Sequence, residues 1–199
     1  MAKRISDLFL SNVEKFHSDN IYIPTRTIYF GGTNVLDDDP DEVNSKTAGQ
    51  LIKNLHILEN KEKGPITILM STPGGSWEDG IAMYDVIRKV KAIVTVIGTG
   101  KLYSMGSIIL QAADKRILMP NATMMIHDGN DGYAGDAKSY ENWAEFSKHT
   151  RKTMYKIYYD KMKKKKSKIT LKDIEEMCGH DNWFTARDAV KIGLADKVM

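Results

Sequence analysis

The chain has little of what cross-links a protein or anchors it in a membrane. It contains one cysteine, Cys178, among 199 residues, which excludes an intrachain disulfide framework and fits a reducing compartment. No apolar run approaches the roughly 20 residues of a membrane span, and the first residues lack the apolar core of a signal peptide. We therefore expect a cytoplasmic protein that neither enters a membrane nor is secreted by that route.

Nucleotide-binding motifs are missing as well, since the sequence contains neither G-x-x-x-x-G-K-[ST] nor G-x-G-x-x-G. A net charge of +3 with 28% charged residues indicates no strongly polyanion-binding surface. Six lysines lie between Lys161 and Lys168, but no aromatic residues are interleaved with them, and we interpret them as the solvated end of a helix. We expect no specific nucleic-acid partner, no metal and no cofactor.

What the chain does contain is an alternation of β-branched and amphipathic segments. The predicted strands are Thr27–Phe30, Ile66–Met70, Ile93–Ile97, Lys115–Met119, Ala122–Ile126 and Trp183–Phe184. The predicted helices are Lys46–Glu59, Trp77–Lys89, Ser104–Ala113, Asp136–Lys163, Leu171–Met177 and Ala186–Ile192. Strands separated by helices of this length indicate an α/β domain with a largely parallel sheet.

Ser104 is the most informative residue. It follows a β-branched, strand-like segment and a turn that contains glycine, and it opens an apolar helix. Backbone N–H groups at a helix N-terminus have no intrahelical partner and can point at a developing oxyanion. A hydroxyl at such a strand-to-helix junction suits a nucleophile, although a serine there can also be no more than a helix cap.

A serine nucleophile needs a base to take its proton and an acid to orient that base. His127 ends an apolar segment and precedes a glycine-rich stretch, while His180 is followed directly by Asp181, just before the last predicted helix. The remaining histidines lie in polar or helical segments; they are His17, His56 and His149. The residues alone leave His127 and His180 as candidate bases and Asp181 as a candidate acid.

A glycine turn upstream of Ser104 is a candidate for the backbone part of such a site. Pro73, Gly74 and Gly75 follow a predicted strand, and Ser76 with Asp79 fits a capping box that begins the next helix. Glycine lets the backbone approach a ligand closely. We therefore predict that an N–H of this turn reaches an oxyanion, but a plain strand-to-helix turn explains the segment equally well.

Together these motifs resemble the proteolytic subunit of the Clp ATP-dependent proteases. The matching blocks occur in the family's order: Thr27-Ile-Tyr-Phe-Gly-Gly, Ser71-Thr-Pro-Gly-Gly-Ser, Tyr103-Ser-Met-Gly-Ser, Pro120-Asn-Ala-Thr-Met-Met-Ile-His and the ending from Asp181 to Val198. The resemblance implies a crotonase-like (ClpP-like) ββα superhelix with a long protruding handle helix. It also implies a divergent N-terminal segment over residues 1–25 and one peptidase domain over 26–199, with the handle at about 130–168.

The resemblance assigns roles to the candidate residues. It implies Ser104 as the nucleophile, His127 as the base and Asp181 as the orienting acid, with the N–H groups of Gly75 and Met105 forming the oxyanion hole. The implied activity is that of an ATP-dependent Clp-type serine endopeptidase, which cleaves peptides or unfolded polypeptides inside a chamber.

The resemblance also implies an assembly. The implied chamber is a homo-oligomer of heptameric rings stacked as a tetradecamer, with an AAA+ unfoldase as a further partner. Helix Asp136–Lys163 would be about 42 Å long at 1.5 Å per residue, more than one small domain can cover. We expect Trp143 and its neighbours to bury against another subunit; the alternative is that they fold back onto their own core.

Three departures from the family pattern bear on function. Tyr103 precedes the candidate nucleophile where the family usually has alanine. Asp128 and Asp131 follow His127 where the family has Gln-Pro and glycines, which adds negative charge near the substrate groove and speaks against a hydrophobic peptide preference. The segment Met1–Phe16 does not match the apolar start through which the family meets its ATPase.

Two other functions are compatible with this fold. A crotonase-type enzyme acting on a coenzyme-A thioester would use the same oxyanion geometry, but its chemistry gives a serine triad no purpose. A catalytically impaired, structural ring subunit would keep the fold while the three residues fail to align. The intact triad positions favour the peptidase over both.

Overall fold

The computed structural model describes residues 2–31, 42–61 and 63–199. Met1 of the divergent segment and Gly32 of the first matching block lie outside these ranges. The helices are α1 Ala2–Asp19, α2 Ser45–Lys61, α3 Trp77–Lys89, α4 Met105–Ala112, α5 Ala137–Met162, α6 Leu171–Cys178 and α7 Ala186–Ile192. The strands are β1 Ile21–Tyr22, β2 Thr27–Phe30, β3 Ile66–Thr72, β4 Val94–Tyr103, β5 Lys115–Leu118, β6 Thr123–Ile126, β7 Asn182–Thr185 and β8 Lys197–Val198.

The predicted α/β architecture with a largely parallel sheet is confirmed. The main path of the sheet runs β1-β2-β3-β4-β5-β8, while β6 pairs with β4 and β7 pairs with β6. Every pairing is parallel except β1 with β2 and β6 with β7. Helix α1, over the segment that does not match the family, was not predicted. None of the helices in the described ranges combines the length and apolarity that crossing a membrane requires.

Strand β4 differs from the sequence-based expectation. The prediction ended it at Ile97 and placed a glycine turn before Ser104, which is wrong, because β4 continues to Tyr103. Gly98 and Gly100 permit close approach rather than a turn: a Cβ at Gly98 would lie 2.7 Å from a Leu118 methyl, and one at Gly100 would lie 2.9 Å from Ser71 Oγ. Glycine inside a strand commonly marks such a close approach.

Helix α4 forms the centre of the core. All of its residues from Met105 to Ala112 are buried, since it packs between α3 and α5 against the sheet. Its buried Ser107 hydroxyl lies 2.6 Å from the hydroxyl of Tyr158 on α5. The second half of α5 is therefore part of this subunit's core, with Met154, Tyr158 and Met162 all buried.

A buried arginine joins the end of the chain to the sheet. The Arg116 side chain donates to Gln111 Oε1 at 2.7 Å and to the Gly193 carbonyl at 2.9 Å, and its guanidinium also pairs with the Asp196 carboxylate. Burial alone would raise the pKa of Asp196, but the hydrogen bonds and charge of Arg116 outweigh it and hold that pKa below its usual value. Arg116 thus satisfies several polar groups at once.

We expect Arg116→Met to lower the free energy of unfolding by about 2–3 kcal/mol, because it leaves buried acceptors without a donor and Asp196 without its cation. The measurement is the urea unfolding midpoint. The matched control is Lys115→Met on the same strand, whose exposed side chain should contribute no more than about 0.5 kcal/mol. Equal midpoints for the two variants would contradict this assignment.

Candidate active site

The sheet register brings four chain segments to one edge. β3 pairs with β4 at Thr72 and Leu102, β4 with β6 at Tyr103 and Met125, and β6 with β7 at Ile126 and Asn182. Because β3, β4 and β6 are parallel, their carboxyl ends lie together, and the antiparallel β7 begins at that same edge. The residues that follow or precede these ends are the Pro73–Ser76 turn, Ser104, His127 and Asp181.

Ser104 occupies a strained junction between β4 and α4. Its backbone has φ 50° and ψ −122°, a conformation that costs a residue with a side chain about 1–3 kcal/mol. Its N–H donates to the Met125 carbonyl at 2.9 Å, which ties the junction to β6. Its side chain makes no capping hydrogen bond to α4. The hydroxyl is therefore free to face another partner, as in a nucleophile elbow.

That partner is His127. Its Nε2 lies 2.8 Å from Ser104 Oγ, and its Nδ1 lies 2.9 Å from Asp181 Oδ1. An ionised carboxylate only accepts, so Nδ1–H donates to Asp181 and Nε2 is left to accept from the serine hydroxyl. The structure thus brings Ser104, His127 and Asp181 into one chain of hydrogen bonds. The other candidate histidine, His180, stays at the exposed turn before β7.

The glycine turn after β3 lies directly beside Ser104. A Cβ built on Gly74, which has φ +103°, would lie 2.7 Å from Ser104 Cβ. Gly75, with φ +144°, passes so close to Val43 that a Cβ would come within 2.3 Å of its carbonyl oxygen. Both positions require glycine, for conformation as well as for space. No motif in the sequence marks Val43 as the residue that packs on this turn.

Gly75 and Met105 are the two predicted oxyanion-hole residues, and both lie in backbone segments next to the serine. The bridge between Val43 and the turn uses the Val43 N–H to the Gly74 carbonyl at 2.7 Å and the Ser76 N–H to the Val43 carbonyl at 2.8 Å. Neither bond uses the Gly75 N–H. Met105 is the first residue of α4, where an N–H has no intrahelical acceptor. Gly75 and Met105 both line the cleft that contains Ser104 and His127.

The cleft is large enough for a peptide segment. Its volume is about 530 Å³, and its lining combines the apolar Met105, Ile108 and Met154 with polar residues from the turn, the loop after His127 and α5. No group of three or more His, Cys, Asp and Glu side chains within the described ranges is arranged to hold a metal ion. The chemistry offered here is that of a hydroxyl, an imidazole, a carboxylate and backbone N–H groups.

The loop after His127 is fastened to α5 by its own carboxylates. Asp128 accepts a hydrogen bond from the Tyr155 hydroxyl at 2.8 Å, and Asp131 accepts one from the Ser147 hydroxyl. Burial, followed by the hydrogen bond and charge of Asp128, raises the pKa of Tyr155 well above its usual value, so the phenol stays a donor. Sequence reasoning missed both anchors; their eight-residue spacing, about two helical turns, was the available signal.

Cys178 is excluded as a competing nucleophile. Its thiol is buried, and burial, together with the nearby charge of Asp128, raises its pKa to about 12. The thiolate is the reactive form of cysteine. At neutral pH Cys178 is therefore a core residue, while its carbonyl accepts the Asp128 N–H at 2.7 Å.

Known proteins resemble this chain over most of its length. A family model described as Clp protease matches residues 39–199. The ATP-dependent Clp protease proteolytic subunit of Deinococcus radiodurans is 33% identical over 160 residues, covering 79% of this chain and 76% of the relative. Subunit 2 from Pseudomonas aeruginosa is 31% identical over 159 residues, with 79% and 77% covered. Subunit 1 from Protochlamydia amoebophila is 33% identical over 164 residues, with 80% and 77% covered.

We expect Gly74→Ala to destabilise the protein by about 1–3 kcal/mol, because the new methyl meets Ser104 Cβ and backbone atoms in a conformation that strains any side chain. Gly49→Ala is the matched control: Gly49 lies in α2, and a Cβ there has nothing within 4 Å. This control should stabilise by about 0.5–1 kcal/mol. Thermal unfolding measures both, and a wild-type midpoint for Gly74→Ala would show that the turn is not fixed against Ser104.

Proposed function

The chain belongs to the Clp protease family, and we propose that it is a serine endopeptidase that cleaves peptides or unfolded polypeptides through an acyl-enzyme. Family membership confirms the ClpP-like fold class predicted from the motifs. The observation that carries the proposal is the unbroken hydrogen-bond chain from Asp181 through His127 to Ser104 beside an open cleft. This arrangement favours an active peptidase over an impaired subunit.

In the first half of the proposed reaction, Ser104 Oγ attacks the carbonyl carbon of the scissile peptide bond. His127 Nε2 takes the hydroxyl proton as the bond forms, and Asp181 stabilises the resulting imidazolium. The oxyanion of the tetrahedral intermediate accepts from the N–H groups of Gly75 and Met105. The intermediate collapses when His127 returns the proton to the leaving amine, which departs and leaves an ester on Ser104.

The second half repeats these roles with water. His127 takes a proton from a water molecule that attacks the ester carbonyl, and the same two N–H groups hold the new oxyanion. Collapse breaks the ester bond, and His127 returns the proton to Ser104 Oγ. The products are a carboxylate and an amine, and no cofactor takes part in either half.

Asp181 acts in this proposal mainly by orienting the histidine. Its side chain is 58% exposed, whereas that of His127 is 20% exposed. Water screens the charge of an exposed carboxylate strongly, so its electrostatic effect on the imidazolium is modest in the single subunit. The hydrogen bond to Nδ1 still fixes the tautomer and the ring plane. The proton stays on Nδ1, and Nε2 is therefore the nitrogen that accepts the proton of Ser104.

We further propose that the peptidase works as a homo-oligomer. The first half of α5 and the loop before it leave large side chains exposed: Tyr133 by 43%, Tyr140 by 52% and Phe146 by 55%. Trp143 stacks on Tyr133 with 5.9 Å between ring centroids, so these rings form one surface rather than folding into the core. A second copy that covers this surface is the expected partner, in stacked heptameric rings as the family resemblance implies.

ATP dependence belongs to a separate partner in this proposal. The relatives are named as subunits of ATP-dependent proteases, while the reaction steps above need no nucleotide. An AAA+ unfoldase would feed unfolded chains to the cleft, and both would operate in the cytoplasm. Short peptides should be hydrolysed without such a partner because they need no unfolding.

Labelling with a fluorophosphonate tests the active-site assignment. We expect wild-type protein to be labelled and Ser104→Ala to remain unlabelled. His127→Ala should slow labelling by about a thousandfold or more, because the hydroxyl loses its base. The matched control is His180→Ala, which removes the other candidate histidine and should label within about threefold of wild type. Gel fluorescence over time gives the rates.

Two outcomes would contradict the assignment. Equal labelling of wild type and Ser104→Ala would remove Ser104 as the nucleophile. An unlabelled wild-type protein that is folded and assembled would favour the impaired ring subunit instead.

Light scattering at micromolar concentration tests the oligomer. We expect a mass many times the 22.5 kDa of one chain, and we expect Tyr140→Glu, outside the cleft lining, to lower that mass by about half, because a charge on this surface opposes burial between two rings. The control is Leu171→Glu, which changes another apolar side chain, 49% exposed at the start of α6, and should keep the wild-type mass. A monomeric wild-type protein would rule out the ring proposal.

A further inference from the structure

The cleft beside Ser104 carries a net negative charge in a chain whose net charge is +3. Its lining contains four carboxylates, Glu42, Glu78, Asp128 and Asp131, against one guanidinium, Arg151. A peptide must enter this cleft for its carbonyl to reach Ser104. The negative charge of the cleft therefore acts on every substrate that binds: it attracts cationic side chains and repels anionic ones.

The two carboxylates nearest the histidine in the chain are held in place by neutral donors. Asp128 is held by the hydroxyl of Tyr155 and Asp131 by the hydroxyl of Ser147. Both anchors are buried, with Tyr155 8% and Ser147 5% exposed. A hydroxyl is a neutral donor, so each bond fixes the carboxylate without cancelling its charge. The negative groups are thus preorganised rather than mobile, which lowers the cost of using them for binding.

The inner wall of the cleft suits the rest of a basic side chain. Met105 and Met154 are buried, at 2% and 4% exposed, and Ile108 is 3% exposed, so the surface beside the nucleophile is apolar. Lysine and arginine side chains pack their methylene stems on apolar surface while the charged head reaches a polar rim. The cleft therefore offers an apolar wall for the stem of a basic side chain and carboxylates for its charged head.

We propose that this peptidase selects substrates with lysine or arginine at the residue whose carbonyl Ser104 attacks, the cationic head being received by Asp128 and Asp131. This inference rests on the proposed serine peptidase function. The side chain of that residue leaves the substrate backbone one bond from the attacked carbonyl, so it is the one held closest to the cleft at reaction. The acidic residues after His127 thus replace a hydrophobic preference by a basic one.

Matched fluorogenic peptides test the inference. They are identical except for lysine, norleucine or glutamate before the scissile bond, and kcat/KM is measured for each with the assembled full-length protein. We expect lysine to exceed norleucine by about tenfold at low ionic strength, and glutamate to be the poorest. The lysine preference should shrink as salt rises from about 20 to about 300 mM, because the charges are partly exposed.

Two variants locate the preference. In the double variant Asp128→Asn with Asp131→Asn, the amide oxygens still accept from Tyr155 and Ser147, so the loop keeps its anchors. We expect the ratio of lysine to norleucine to fall below about threefold, mostly through KM, since ground-state attraction is lost. The matched control is Glu141→Gln, an exposed acid of α5 outside the cleft lining, which should leave the ratio unchanged.

The outcomes separate this inference from the function on which it rests. Fluorophosphonate labelling of Ser104 is measured on the same preparation. Labelling together with equal or better cleavage of the norleucine peptide overturns the basic preference while the peptidase assignment stands. A lysine preference that survives in the double variant also overturns the role of these carboxylates. Absence of labelling and of cleavage overturns both proposals.

Discussion

The site depends on how β4 divides its length between two partners. Its first half pairs with β5 from Thr95 to Gly98, and its second half pairs with β6 from Lys101 to Tyr103. The register with β3 shifts at the same place, between Met70 and Thr72. A slip of one residue would turn every side chain of a strand to the opposite face. This register sets Ser104 beside His127 on one side and the glycine turn on the other.

The strain at Ser104 persists because its surroundings are rigid. Helix α4 is buried along its whole length, and the hydroxyl of Ser107 donates to the Ser104 carbonyl at 2.6 Å while contacting Tyr158. Relaxing the serine backbone would therefore move a packed helix and break a bond to β6. Burial of the helix outweighs the local cost, which is how strained residues are usually held at functional sites.

Local sequence patterns predicted most of the secondary structure, but not the contacts between residues that are distant in sequence. Alternating β-branched segments and capping residues such as Ser76, whose side chain accepts the Asp79 N–H, are local signals, so most of the elements were found. His127 and His180 could not be separated by residue type, because the choice depends on the pairing of Ile126 with Asn182 across the sheet. The glycines of β4 misled for a similar reason: their neighbours Leu118 and Ser71 are distant in sequence.

Two carboxylates, Asp181 and Asp128, lie near His127, but only Asp181 is hydrogen-bonded to its ring. Asp181 contacts His127 Nδ1, while Asp128, next to the histidine in the chain, is turned to the Tyr155 hydroxyl and tied through its N–H to the Cys178 carbonyl. A second free carboxylate could compete for the ring and draw it from Ser104. Tyr155 prevents this without neutralising Asp128. Helix α5 thus supplies neutral donors for the acids that follow the histidine, which makes an acidic cleft compatible with an aligned histidine.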